Sequence, residues 1–563
     1  MNTHLRKWFA PTLVVFFFIF GLFLRTFRLD ALPSEPHRDE LSIGYSAYSL
    51  VKTGYDEHGA GPWPLMFRSF GDFKLPGLIY TTALSVWLFD LSLWSTRLPT
   101  AILAACLIPL MYLFVKELFG SKNIALTAAG MITVTYWHTF LARTAYEPIV
   151  GLTFTISGVW LLLKGLQRPF FIYLSLPFFA AAFMTYNVPL LGTPFLIFLY
   201  AIVYGSKKLN FKQHGPALAL VLFLCASMLA GFATLNKAKA KTTVLQNPEL
   251  SSQLQSLKDK AFLAGTPAPV RLLATNKYMF GLDILLKNYS STFDPRYLFF
   301  NGGKNEWHSL SQLQLGDFSK AYLLLLIVGV WTVARKSIKG SRPHLFLLGY
   351  LLLSPIPDAF TIDAPVTNRL MEFHFLLEIT AAVGLTEIIQ YKATGWLKLS
   401  KWLFGLFYLA LTGVFWSRYL YLHSATLAPA WNETISQMAK STMKIHSNYD
   451  WTYINPREIP GQYDSVTVPY IYFLFYGQVD PKIVQTQGVW QERGGFSTLV
   501  GLPGFSFDEY PESIEPGQNY LYVTRTKAYE LNSSMFVQPI YEISDRAGKV
   551  TWKAFDIKPS LEL

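Results

Sequence analysis

Apolar runs of about 17 to 22 residues recur through the first three quarters of this 563-residue chain. At 1.5 Å per residue a helix of that length crosses a hydrocarbon core of about 30 Å. The runs fall near 8–28, 97–115, 123–141, 149–164, 170–187, 188–205, 215–235, 318–334, 344–360, 371–390 and 402–419. The reading is a polytopic α-helical membrane protein of about eleven spans, with the lipid bilayer as its solvent. A chain that is 52% hydrophobic and 15% charged agrees, since soluble domains of this length rarely show that balance.

The net charge of +12 implies no nucleic-acid partner, because it is accounted for by topology. Arg6/Lys7, Lys116/Lys122, Lys164/Arg168, Lys207/Lys208/Lys212, Arg335/Lys336/Lys339/Arg342 and Lys392/Lys398/Lys401 lie at the N-terminus or between apolar runs, and basic loops stay on the inner side. An odd number of spans then places the N-terminus in the cytoplasm and the C-terminal domain outside, in a multi-pass plasma-membrane protein. The run Trp8 to Leu24 has no small-residue cleavage site and reads as a retained first span. Leu75 to Leu93 begins at Pro76-Gly77 and is interrupted by Asp90; the basic clusters favour an interfacial or re-entrant helix there. Cys106 and Cys225 lie inside apolar runs, which predicts neither a disulfide framework nor a thiolate metal site.

These boundaries divide the chain into a transmembrane domain, 1–430, carrying an outer loop over 29–96, and an extracytoplasmic soluble domain, 431–563, of α/β type. In the latter, strand-like runs at Ser465 to Tyr476, Ile483 to Thr486 and Tyr520 to Thr524 alternate with Gly, Pro and Asp turns. The outer loop concentrates Asp30, Glu35, Asp39, Glu40, Asp56, Glu57 and Asp72, either as solvated surface or as the carboxylates of an interfacial cavity. Within it, Leu41, Tyr45, Tyr48 and Val51 follow helical spacing. Asp39 and Glu40 then stand at the helix N-terminus, where the helix dipole stabilises anions.

The acidic pair after the first span is followed by Tyr45-x-x-Tyr48 ending in Lys52-Thr53-Gly54, by Arg68-Ser-Phe-Gly-Asp72-Phe-Lys74-Leu-Pro76-Gly, and by Arg97-Leu-Pro99-Thr-Ala. Ala142-Arg143-Thr-Ala-Tyr146-Glu147 and Asp294-Pro-Arg296-Tyr297 come later. In order and spacing these pieces resemble glycosyltransferase family 39, which includes protein O-mannosyltransferases and the lipid A aminoarabinose transferases, with the C-type glycosyltransferase (GT-C) fold. The resemblance implies inverting transfer of a sugar from a polyprenyl-phosphate donor to a protein, lipid or glycan acceptor on the outer face.

Asp39 matches the family's catalytic aspartate, with Glu40 beside it. Lys74 matches the lysine of a Lys-Pro-Pro motif that reads Lys74-Leu75-Pro76 here, and is the candidate phosphate ligand. Arg68, Arg143 and Arg369 are further candidate cations, with His374 beside Arg369. Glu147 would orient the acceptor or a metal, and Tyr45 and Tyr48 would line the donor pocket. No cofactor is required by this chemistry. His58, His308 and His374 fall on the outer side, but no histidine pair has the spacing of metal ligands. The domain after residue 430 is expected to govern acceptor choice and to take no part in bond breaking. The rival readings are a transporter, which usually shows two related halves that are not found here, and a flippase or polymerase of lipid-linked saccharides.

Overall fold

The computed structural model describes residues 3–205, 210–235, 244, 248–392, 394–423, 426, 433–456, 468–493, 496–507, 517–525 and 538–557. The basic pair Lys207/Lys208 and the segment Ser465 to Thr467 lie outside the described residues. The chain forms two compact units, each discontinuous in sequence. One comprises Met1–Phe27 and Thr100–Leu420, the other Arg28–Pro99 and Tyr421–Leu563.

The first unit is helical, and a helix lies on every one of the expected runs. In chain order these begin α1 (Thr3–Thr26), followed beyond the outer loop by α4 (Leu93–Phe119), α5 (Lys122–Val134), α6 (Tyr136–Leu141), α7 (Glu147–Gly165), α8 (Phe170–Phe183), α9 (Val188–Tyr204) and α10 (Phe211–Leu235). Helices Tyr322–Ile338, Arg342–Leu353, Ile356–Ala359, Met371–Gln390 and Trp396–Tyr421 complete the set. Segments Trp8–Thr26, Leu93–Phe119, Glu147–Gly165, Lys212–Gly231 and Lys398–Tyr421 are each long and apolar enough to cross a bilayer unaided.

The third run is broken at Thr135, between α5 and α6. Such a break frees carbonyls that lipid cannot satisfy, and the fully buried Arg25 supplies the donors. Its Nη2 donates to Ile132 O at 3.0 Å and its Nη1 to Thr133 O at 3.1 Å, with His138 Nδ1 2.5 Å from Nη2. Helices Tyr322–Ile338 and Met371–Gln390 meet through glycines. A Cβ on Gly384 would stand 2.1 Å from Leu325 O, and one on Gly329 2.1 Å from Thr380 O, so only glycine permits this approach.

The second unit carries α2 (Arg38–Thr53), the antiparallel hairpin β1 (Phe67–Ser69) and β2 (Asp72–Lys74), and α3 (Pro76–Phe89). The 14 residues of α3 span about 21 Å at 1.5 Å per residue, and the helix exposes Leu84, Trp87, Leu88 and Phe89. From the C-terminal segment come β3 (Trp451–Asn455), β4 (Val489–Arg493), β5 (Phe496–Leu502), β6 (Phe505–Ser506), β7 (Tyr520–Arg525), β8 (Tyr541–Ser544) and β9 (Val550–Ile557). They form one sheet in the order β4-β5-β6-β3-β7-β9-β8, with β3 parallel to β6 and β7 and the other pairs antiparallel.

Two of the strand-like runs are helices instead: Pro469–Tyr476 and Pro481–Gln487. Each has proline in its first turn, where a missing N–H costs nothing, and Asp480 caps the second. Tyr470 to Phe475 are buried all round, so no alternation was there to separate helix from strand. Tyr520 to Thr524 lies in β7 as expected.

Candidate active site

Local sequence starts α2 with a capping box. His37 is the N-cap, its Nδ1 accepts from Asp39 N at 3.3 Å, and its own N–H donates to Glu40 Oε2 at 3.2 Å. Gly54, at φ +78°, ends the helix in the left-handed conformation. The capping box leaves Asp39 in the first turn with its side chain 32% exposed, while Glu40 is fully buried.

Glu40 is engaged by Arg97 in a two-pronged ion pair, Nε to Oε1 and Nη2 to Oε2, both 2.9 Å. Arg97 Nη1 also donates to Leu29 O at 3.0 Å and Pro33 O at 2.8 Å. Both partners are shut off from solvent, so their charges are retained only as a pair. Of the two adjacent acids, one fastens the loop and the other stays accessible.

The hairpin delivers the cation. Its register pairs Phe67 with Lys74, Arg68 with Phe73 and Ser69 with Asp72, and Ser69 Oγ lies 3.1 Å from Ser42 Oγ on α2. Lys74 Nζ donates to Asp39 Oδ1 at 3.1 Å, and His37 Nδ1 stands 3.2 Å from Asp39 Oδ2. Desolvation alone would raise the Asp39 carboxyl, but Lys74, the His37 hydrogen bond, and the His37 and Arg38 charges hold it well below the usual carboxylate range. Arg68 is one residue out of phase with the partner of Lys74 and pairs with Glu492 instead, because alternate strand residues face opposite sides.

Within electrostatic reach of Lys74 lies a buried carboxyl that the sequence did not single out. Glu57 is 1% exposed and accepts a hydrogen bond from the Ser46 hydroxyl. Burial pushes it from 4.5 up to about 8, with the Ser46 bond opposing and Asp56 adding to the rise. In the sequence Glu57 stood only as one of the loop's acids, and Ser42, Ser46 and Ser49 at helical spacing were a further signal for this pair.

The C-terminal segment holds α2 from the side. The Tyr45 hydroxyl donates to Val479 O at 2.8 Å. Gln485 Nε2 reaches Ser49 Oγ at 3.1 Å, Thr53 Oγ1 at 2.9 Å and Asp56 O at 2.9 Å. A Cβ on Gly44 would come within 2.6 Å of the Phe475 ring. Phe70 O accepts from Ser497 N at 2.8 Å, and the His58 and Trp490 rings are 4.0 Å apart. Tyr45 is thereby buried and Tyr48 packs beside it at 6.1 Å.

The remaining candidates belong to the helical unit. Arg143 is buried, its Nη1 and Nη2 donating to Leu24 O and Phe27 O at 2.6 Å and its Nε to the Tyr419 hydroxyl at 3.1 Å, which fastens the end of α1. Glu147 opens α7. Arg369 binds Asp363 through Nη1 and Nη2 at 2.6 and 3.2 Å and Thr361 at 2.7 Å, with Asp358 3.7 Å away, so two carboxylates already answer its charge. His374 is fully buried, with Nε2 2.9 Å from Asp317 Oδ2 and its ring stacked on Phe318. Among the described residues no group of three or more His, Cys, Asp and Glu has the arrangement of a metal site.

Residues 74–230 match the model of the family described as dolichyl-phosphate-mannose-protein mannosyltransferase. No curated protein matches the chain in sequence. In structure the chain is similar to ArnT from Cupriavidus metallidurans in the apo state, at 12% identity and a TM-score of 0.54, covering 97% of this chain and 98% of that one. The same protein bound to undecaprenyl phosphate aligns at 13% identity and a TM-score of 0.52, over 96% and 97% of the two chains. The apo oligosaccharyltransferase of Archaeoglobus fulgidus aligns at 13% identity and a TM-score of 0.52, covering 85% of this chain. The present chain spans 65% of the length of that enzyme. The chain therefore shares the GT-C fold of these membrane proteins, and its residues 74–230 match the model of the dolichyl-phosphate-mannose-protein mannosyltransferases.

Proposed function

We propose that the protein transfers a sugar, with inversion at C1, from a polyprenyl-phosphate donor to an acceptor on the outer face of the membrane. The observation that carries this reading is the contact between Lys74 Nζ and Asp39 Oδ1 at 3.1 Å. It puts a carboxylate base and a phosphate-binding cation side by side at the head of one helix. ArnT in complex with undecaprenyl phosphate shares the fold, which supports a donor of that class.

In the resting site Lys74 neutralises Asp39 and makes it a weak base. A donor phosphate draws the Lys74 ammonium toward itself, and the basicity of Asp39 rises as its partner is diverted. Asp39 then takes the proton of the acceptor hydroxyl or amine while that atom forms its bond to C1. The bond from C1 to the phosphate oxygen breaks, and the departing charge is met by Lys74. Glu40, locked on Arg97, positions the helix start and exchanges no proton in this scheme.

The second unit supports this orientation. Residues 28–99 and 421–563 fold together, which supports a common side of the membrane for both and an even number of crossings between them. Ten expected spans lie between them, counting from 97–115 to 402–419. With the basic loops inside, the shared side is the outer one.

The test is Asp39→Asn in purified protein with a lipid-phosphate sugar donor. Donor binding should persist while turnover falls by at least about a hundredfold, the scale of losing a general base. Undiminished transfer by this variant would end the assignment of Asp39.

A further inference from the structure

Helix Trp396–Tyr421 is unevenly attached. Toward its C-terminal end, Leu411 O accepts from the Tyr136 hydroxyl at 2.6 Å, the Tyr136 and Phe415 rings stack at 4.2 Å, and Tyr419 meets Arg143. Toward its N-terminal end it stands away from Met371–Gln390 and leaves a groove of about 690 Å³. Within Lys398–Tyr421 only 6% of the most apolar stretch is buried in protein. Leu325, Leu385, Ile388, Trp402, Phe404 and Tyr408 line it. Gly405 lines the groove, and a Cβ added there would meet nothing within 4 Å.

The mouth has the opposite character. Lys392, Lys398 and Lys401 line it, and no Asp or Glu belongs to the lining. The nearby acid Glu387 is taken by Lys336 at 2.7 Å. Lys401 donates to Ile389 O and Tyr391 O, the open carbonyls at the end of Met371–Gln390, which keeps its ammonium at the rim. Trp402 is 75% exposed, as suits an aromatic at the headgroup level.

We propose that this groove is a binding site for an anionic phospholipid of the bilayer, its acyl chain between the two helices and its phosphate on Lys392 and Lys398. Orientation needs alone explain basic residues in a loop. They do not explain why the lysines gather over a cleft that is otherwise lined mainly by apolar and aromatic side chains and is open where Gly405 lacks one. A lipid with an apolar tail and a negative head complements both parts.

The test is native mass spectrometry of the full-length protein, counting retained phosphatidylglycerol and phosphatidylcholine, with Lys392→Ala/Lys398→Ala and Gly405→Trp as variants. The wild type should retain phosphatidylglycerol selectively, and the double lysine variant should bind it about twenty-fivefold more weakly, from about a fivefold contribution per lysine. Lys392→Arg/Lys398→Arg should restore binding. Gly405→Trp should exclude the lipid, with an unchanged circular dichroism spectrum showing that the helices remain. Equal retention of the two phospholipids, or retention unchanged in both the alanine and Gly405→Trp variants, would overturn the proposal. Displacement of phosphatidylglycerol by equimolar undecaprenyl phosphate would overturn it too, by assigning the groove to a polyprenyl chain.

Discussion

Lys74 and Asp39 form an ion pair at 3.1 Å although one ends a β-hairpin and the other begins a helix. The pair exists because Ser69 and Ser42 bring hairpin and helix together. Replacing Lys74 by Ala should therefore do two things at once: weaken donor binding, and let the Asp39 pKa climb from its depressed value. Isothermal titration with the lipid donor and carboxylate NMR would read the two effects. Lys74→Arg should keep part of the donor affinity, since the charge persists with altered geometry. Donor affinity unchanged in Lys74→Ala would remove this residue from the phosphate site.

The buried Glu40–Arg97 pair predicts a stability effect. Arg97→Met leaves the Glu40 carboxylate without its counter-charge in a closed site, a loss of about 3 to 5 kcal/mol. Glu40→Gln/Arg97→Met should recover much of it, because no net charge remains buried. Thermal unfolding of the three proteins checks this; equal melting temperatures for Arg97→Met and wild type would contradict it.

Glu57 sets a pH dependence. Its carboxyl is raised from 4.5 to about 8 by burial, so the folded protein holds a proton that the unfolded chain gives up. The stability from this group is fully present below pH 4.5 and is lost as pH rises through about 8. Glu57→Gln cannot ionise, and its melting temperature should fall less than that of the wild type between about pH 5 and pH 8.5. Parallel curves would show that Glu57 does not carry the effect.

The C-terminal segment, expected to govern acceptor choice and to take no part in bond breaking, also holds the outer loop: Gln485 Nε2 reaches three oxygens of α2 and the turn after it. Gln485→Ala should loosen this end of the loop, at about 1 to 3 kcal/mol for stranded polar groups. A chain ending at Leu420 should lose donor binding together with transfer, and its loop 28–99 should be cut readily by protease. Full donor affinity in the shortened chain would show that the loop keeps its form alone.

Hydrophobic runs and basic loops by themselves determined that this chain is a helical membrane protein, because in lipid the backbone has one local solution and its period and length are written in consecutive residues. The capping box at His37 and Glu40 is equally local, so the head of α2 with Asp39 in its first turn was readable too. What only the tertiary structure decided is which charge meets which. Asp39 and Glu40 are neighbours of the same chemistry, but Arg97 closes over one and Lys74 stops beside the other. Arg68 is turned away from Lys74 by the alternation of the hairpin, and His374 is consumed by Asp317. The helix at Pro469 reads as a strand in the sequence because burial on every side erases periodicity. Long-range pairing depends on loop closures that no window of sequence contains, which is why the roles of these side chains emerge only when the outer loop and the C-terminal segment fold as one unit.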